Sequence, residues 1–250
     1  MNLNLKLKIS ENFSRAAEKY DEHAQLQRTI AQNLILQSEG YVAQDSKILD
    51  IGSGTGFIAQ ILNQRITQLD IALGMCKKSS AFSPAICADI ENLPFGKEHF
   101  DAVYSSCSLQ WPFNLENSLT EVHRILRNSG HFIFTIFGAD TLKELKSAQL
   151  DSDISTRVNS FYNLEEIKVL LKKAGFQIIF YDNKHEMVNH DSAAELLRSI
   201  RNIGAGVTFS KSDSITKNKL VRLEDHYRKN FTSGNQLYST WEILYFICQK

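Results

Sequence analysis

The chain has 250 residues, 43% hydrophobic and 22% charged, with 28 basic and 28 acidic side chains. That length suits one large domain or a domain with an elaboration. Zero net charge excludes a global field for nucleic acid or a membrane surface, and no stretch approaches the roughly 20 apolar residues of a bilayer span.

The four cysteines, Cys76, Cys87, Cys107 and Cys248, form no CxxC pair, so they predict neither a zinc site nor a disulfide framework. Met1–Lys8 alternates polar and apolar residues and lacks a secretory signal, so a cytoplasmic protein is expected. Residues 10–38 predict a helical segment. Phe13, Ala17, Tyr20 and Ala24 recur at helical spacing, Leu26, Ile30 and Leu34 continue the apolar face, and Gly40 follows as a stop. Strands are then expected at 47–51, 66–71, 85–88, 100–105, 131–137 and 176–182. Helices are expected at 56–63, 115–126 and 163–174, with Asn114 as N-cap and Gly175 as stop. This alternation predicts an α/β fold, a doubly wound, mostly parallel sheet with helices on both faces. Beyond residue 185 the pattern turns helical, at 192–202 and 215–229, with a break at Gly204-Ala205-Gly206. The aromatic, β-branched run 238–248 suits a last strand. The expected organisation is a helical segment (1–40) closing over the site, a core (41–185), a helical insertion (186–232) and a final strand of the core sheet (233–250).

The sharpest feature is Ile48-Leu49-Asp50-Ile51-Gly52-Ser53-Gly54-Thr55-Gly56. An apolar strand runs into three glycines and then a helical pattern. Glycines admit positive φ and let a ligand approach the main chain. The dinucleotide fingerprint is GxGxxG, whereas the spacing here is GxGxG and Asp50 precedes the first glycine. A carboxylate at that point repels a pyrophosphate and suits an ammonium. Asp70 ends the second strand, where it can accept ribose hydroxyls, with Ile71 beside it. Asp89 ends the third, placed for the adenine amino group, with Ile90 against the ring. The end of the fourth strand, Ser106 to Trp111, faces the reacting group, because open α/β sheets bind ligands there. A nucleoside bearing an amino acid fits these positions, which points to S-adenosylmethionine. The expected cofactor set is Asp50, Gly52, Ser53, Gly54, Gly56, Asp70, Ile71, Asp89, Ile90, Ser106, Gln110 and Trp111. His23 has no partner at ligand spacing, so no metal is expected.

ILDIGSGTG, ADIENLPF, FDAVYSS and LQW together resemble the class I S-adenosylmethionine-dependent methyltransferases, over residues 45–140. The resemblance implies a Rossmann-like, seven-stranded sheet. Phe13–Gln27 is similar to the F-x-R-A-A-x-x-Y-x-x-H-A-x-x-Q opening of the malonyl-[acyl-carrier protein] O-methyltransferase family of biotin synthesis, and Leu197–Ala205 to that family's insertion. Phe137–Leu145 and the last strand also resemble a mitochondrial complex I assembly-factor family that modifies an arginine. The Phe13–Gln27 block favours the biotin-synthesis family. That resemblance implies methylation of the free carboxylate of a malonyl thioester, on acyl carrier protein or coenzyme A, giving the methyl-ester primer for pimeloyl and biotin synthesis. A carboxylate is ionised at neutral pH and a sulfonium leaves readily, so the displacement asks mainly for alignment and removal of water. Tyr20 is the N-terminal candidate, its hydroxyl near the methyl or the acceptor carboxylate. Arg198 and Arg201, three apart on one helix face, are candidate holders of that carboxylate. Residues 198–230 hold eight Lys/Arg against three acids, a patch suited to an acidic carrier protein.

Overall fold

The computed structural model describes residues 2–151, 159–205 and 216–250. Gly206, Lys211, Asp213 and Ile215, which the sequence places in the helix break, the charged patch and the start of the second insertion helix, lie outside them. In chain order, α1 (Asn2–Ala16), α2 (Tyr20–His23) and α3 (Gln25–Gln37) precede β1 (Ile48–Ile51), α4 (Phe57–Leu62), β2 (Thr67–Asp70) and α5 (Leu73–Ser79). β3 (Ala85–Cys87), β4 (Phe100–Ser105), α6 (Leu115–Ile125), β5 (Leu126–Phe137), α7 (Lys143–Asp151), α8 (Leu164–Lys173) and β6 (Gln177–His190) follow. α9 (Ala193–Asn202) and α10 (Lys217–Asn230) then lead to β7 (Thr232–Ser233) and β8 (Gln236–Gln249).

The strands run across the sheet in the order β3-β2-β1-β4-β5-β8-β6, with the two-residue β7 paired to β8. Pairing is parallel from β3 to β5 and antiparallel on both sides of β8. Successive strand residues feed opposite faces, as a period of two requires. Ile48 joins the layer under α3, α7 and α10, while Leu49 joins the layer under α6 and α8. α3, α6 and α8 show the matching stripe. α6 buries Leu115, Leu119, Val122 and Ile125, and the Asn114 side chain caps it by accepting from the Asn117 N–H at 3.0 Å. Among the described residues no helix is long and apolar enough to cross a membrane.

Three departures from the sequence reading bear on the site. The helical segment over 10–38 is three helices beginning at Asn2, because its ends have different partners: Ala17 beside α1 packs on Ala72 and Met75, whereas α3 buries Ile30, Ala31 and Leu34 in the main core. α5 and α7 were not anticipated. β6 runs on to His190 through a polar stretch, since each residue of 180–190 pairs with β8, and the boundary expected near residue 185 therefore falls inside a strand. Its outward side chains alternate between exposed and half-buried, as on an edge strand.

Candidate active site

Asp50, Asp70 and Ser105 stand at the carboxyl ends of β1, β2 and β4, which are neighbours in the sheet. The glycine turn leaves β1 there. The N–H groups of Gly52 and Ser53 donate to the Leu69 carbonyl at 2.7 and 3.0 Å, which ties the turn to β2. Gly52, Gly54 and Gly56 all adopt positive φ, at 67°, 55° and 93°. Their surroundings differ. A Cβ on Gly52 would overlap Ser108, one on Gly56 would come 2.9 Å from Gln68 Oε1, and one on Gly54 would meet no protein atom within 4 Å. Gly54 therefore faces open space, Gly52 makes room for the loop after β4, and Gly56 seats α4 on its neighbours behind the turn.

The cleft in front of this turn is lined by Gly52, Gly54, Asp70, Ile71, Asp89, Ile90, Ser106 and Trp111. Eight of the twelve expected cofactor residues thus meet in one place. Asp50 and Ser53 line a niche immediately behind, shared with Gly52, Gly54, Tyr20, Gln27 and Ser106. Gly56 lines neither, and Gln110 lines a second cavity instead. Asp70 is buried, and its two oxygens accept from the N–H groups of Gly54 (2.9 Å) and Ala72 (2.8 Å). Burial pushes its pKa up to about 6, held back by the N–H groups of Ala72, Gly54 and Ile71. Asp50 is 1% exposed, and its Oδ2 has no hydrogen-bond partner among the described residues. Burial, and then the charge of Asp70, push its carboxyl up to about 8. Ser53 Oγ is also buried without a partner among the described residues. The residues therefore fit S-adenosylmethionine. A buried carboxylate oxygen with no partner among the described residues can accept from an ammonium, a glycine opens on the cleft, and Asp70 retains lone pairs for hydroxyls.

α1 forms the roof of the cleft through Lys6, Ile9 and Phe13. Lys6 Nζ lies 2.5 Å from Asp89 Oδ2 and 2.6 Å from Glu91 Oε2. Asp89 is thus committed to the roof as well as placed at the cleft, a sharing that its position in the sequence did not reveal. Ser10 Oγ donates to the Ile71 carbonyl at 2.9 Å, and the Gly74 N–H donates to Ser14 Oγ at 3.1 Å. A Cβ on Gly74 would lie 2.5 Å from the Ser14 carbonyl oxygen, so only glycine lets α1 sit this close. The sequence places Phe13 on an apolar helical face but not in the site, and gives no sign of Lys6 and Ile9, although 6, 9 and 13 fall on one face of α1.

A second cavity adjoins the cleft, and Phe13, Tyr20, Cys107 and Trp111 line both. Its other walls are Phe137, Leu142, Phe161, Ile200, Ile203 and Trp241, with Gln27, Gln110 and Asn159 as polar members. Trp111 meets Phe13 edge-on at 5.2 Å. Cys107 is held at φ 52°, its N–H donating to Thr135 Oγ1 at 3.0 Å, and burial pushes its thiol up to about 11. Tyr20 lines the cleft, the niche and the second cavity. Burial first, then Cys107, Asp70 and Asp21, drive its phenol far above the ordinary value, so the hydroxyl keeps its proton at neutral pH. Among the described residues that hydroxyl has no hydrogen-bond partner.

Arg198 and Arg201 are exposed and line neither cavity. α9 turns Ile200 inward and sends Arg201 to a surface basin formed with Asn12, Arg15, Lys19, His23, Asn202 and Gly204. Asp140, His185 and Glu242, which the sequence reading did not group, bring ligand atoms within 4.8 Å of one another away from both cavities, but the Glu242 oxygens already accept from Asn183 Nδ2 and the Asp140 N–H.

A family described as a methyltransferase domain matches residues 49–134. The malonyl-[acyl-carrier protein] O-methyltransferase of Gallionella capsiferriformans is 31% identical, covering 95% of this chain and 88% of that one. Malonyl-[acyl-carrier protein] O-methyltransferase 2 of Ilyobacter polytropus is 33% identical over 98% of both. Among solved structures, the YcgJ protein of Bacillus subtilis superposes with a TM-score of 0.63 at 15% identity, covering 88% of this chain and 97% of that one. An S-adenosylmethionine-dependent methyltransferase from Mesorhizobium loti gives 0.53 at 14% identity, over 88% and 98%. At such identities the likeness is one of fold.

Proposed function

The chain belongs to the malonyl-[acyl-carrier protein] O-methyltransferase family, and we propose that it methylates the free carboxylate of a malonyl thioester carried by acyl carrier protein. S-adenosylmethionine, when bound, supplies a methyl group on a positively charged sulfur. The observation that carries the reading is the meeting of two cavities at Tyr20, Phe13, Cys107 and Trp111. One has the donor set for a nucleoside bearing an amino acid. The other is apolar and suits a short acyl chain. Asp50 and Ser53 hold the ammonium end, Asp70 the ribose, and Asp89 with Ile90 the base. Phe13 and Trp111 wall the junction and exclude water, which raises the nucleophilicity of a carboxylate. Tyr20, protonated at neutral pH, donates toward that carboxylate without taking its charge. No residue need remove a proton, because the acceptor is already an anion.

The exposed arginines take a different role from the one the sequence suggested. Arg201, Lys19 and Arg15 surround the surface basin beside the second cavity, which suits an anionic carrier or the phosphates of coenzyme A. Steady-state methyl transfer from S-adenosylmethionine to malonyl-carrier and malonyl-coenzyme A tests the reading. Lys19→Glu with Arg201→Glu is expected to raise KM for the carrier substrate by about tenfold or more and to flatten its salt dependence, with kcat little changed. An unaltered KM removes the basin from docking, and absence of malonyl-dependent S-adenosylhomocysteine formation by the unmodified protein contradicts the function itself.

A further inference from the structure

We propose that the carboxamide of Gln27 holds the acceptor carboxylate, an inference that rests on the carboxyl-methylation reading above. Gln27 lies in the first turn of α3 and is only 7% exposed. It lines both the niche beside Asp50 and the second cavity, on the same walls as Tyr20. Among the described residues its amide has no hydrogen-bond partner, so on a largely buried side chain it is free to meet a ligand in the spaces it lines. Its neighbours are otherwise engaged. Gln110 Nε2 donates to the Cys107 carbonyl at 2.7 Å, and Trp241 Nε1 donates to Ser239 Oγ at 3.2 Å. No described residue lining the second cavity is cationic. Besides Asn159, which is itself engaged, and the second N–H of Gln110, the donors there for an anion are the Gln27 Nε2–H groups and the Tyr20 hydroxyl.

Neutral donors suit this chemistry. A bidentate guanidinium would orient a carboxylate but occupy both oxygens and draw off the charge that attacks the methyl group. An amide and a phenol can hold one oxygen and leave the other free. The position of Gln27 at the end of the Phe13–Gln27 block gives that block a chemical purpose at both Tyr20 and Gln27.

Gln27→Met keeps the volume and removes both donor and acceptor. Three measurements decide the matter: methyl transfer to malonyl-carrier, calorimetric affinity for S-adenosylmethionine, and binding of malonyl-carrier against acetyl-carrier in saturating S-adenosylhomocysteine. The variant is expected to raise KM for malonyl-carrier by about ten- to a hundredfold, the loss of one hydrogen bond to a charge. It is also expected to lose the preference for malonyl over acetyl thioester and to keep its cofactor affinity, which also reports that the fold is intact. Gln27→Glu, which sets two carboxylates against each other, is expected to be worse than Gln27→Met. Weakened cofactor binding with the malonyl preference retained overturns the inference and moves Gln27 to the cofactor. An unchanged variant beside an active unmodified protein overturns it alone. An unmodified protein that neither prefers malonyl nor methylates it brings down the carboxyl-methylation reading itself.

Discussion

Asp50→Asn is expected to weaken S-adenosylmethionine binding by about a hundredfold, the scale of removing one partner from a buried charge pair. Asp50 Oδ2 is buried without a partner, so its cost is offset only when a cation arrives. The same substitution is expected to stabilise the cofactor-free protein at alkaline pH. The sign follows from proton binding. The Asp50 carboxyl sits near pH 8 in the fold against an ordinary 3.8, so between those limits the folded state holds a proton that the unfolded chain has lost. Stability of the cofactor-free protein therefore falls as pH rises through that window, and the buried Asp70, near 6, adds a smaller fall of the same sign. Asparagine removes the first contribution. Cofactor affinity runs the other way, rising with pH in the unmodified protein as Asp50 ionises, and staying flatter in the variant. Calorimetric titration and thermal unfolding across that range check both limbs. Undiminished affinity in Asp50→Asn would remove Asp50 from the ammonium site.

Gly52→Ala is the second large effect. The added Cβ would overlap Ser108 Cβ and lie 2.5 Å from its Oγ, at a residue whose φ is 67°. Left-handed backbone strain and overpacking together cost about 2–5 kcal/mol. The damage does not stop at the turn. Ser108 Oγ lies 2.5 Å from Ser105 Oγ and donates to the Ile51 carbonyl, and the strained Cys107 precedes it. Displacing Ser108 moves the wall common to both cavities, so cofactor binding and transfer are both expected to vanish along with a large drop in melting temperature. Gly54→Ala is the companion. Its Cβ meets no protein atom, so stability falls only by the strain of its positive φ, while the methyl group enters the cofactor's space and binding is lost. Equal stability losses in the two variants would contradict the distinct roles assigned to these glycines.

The cofactor half of the site was legible because it is written locally. Asp70 is the last residue of β2, Asp50 the last but one of β1, and Asp89 follows two residues after β3, and a parallel sheet puts such ends side by side whatever else the chain does. The acceptor half depends on which helix faces turn inward. The α9 arginines carry the chemistry a carboxylate holder needs, yet burying Ala193, Leu196 and Ile203 sends both guanidinium groups to the surface. Gln27 sits in an amphipathic helix among apolar residues, where a polar side chain carries no signal of burial. Lys6 lay before the expected start of the helix, and its ion pairs to Asp89 and Glu91 join residues more than eighty positions apart. Gly56 shares the motif with Gly52 and Gly54 but serves packing, a distinction that spacing alone does not carry. The polar tail of β6 resembled a loop because one side of an edge strand needs no apolar residues.

On the proposed reaction, the methyl group ends on the malonyl carboxylate. The direct measurement uses S-adenosylmethionine labelled in its methyl group, the purified protein and malonyl-acyl carrier protein, followed by mild base. Label is expected on the carrier and is released as methanol, the signature of a methyl ester, with no transfer to acetyl-carrier. Label that fails to reach the carrier, or that stays bound through base treatment, would contradict that reaction.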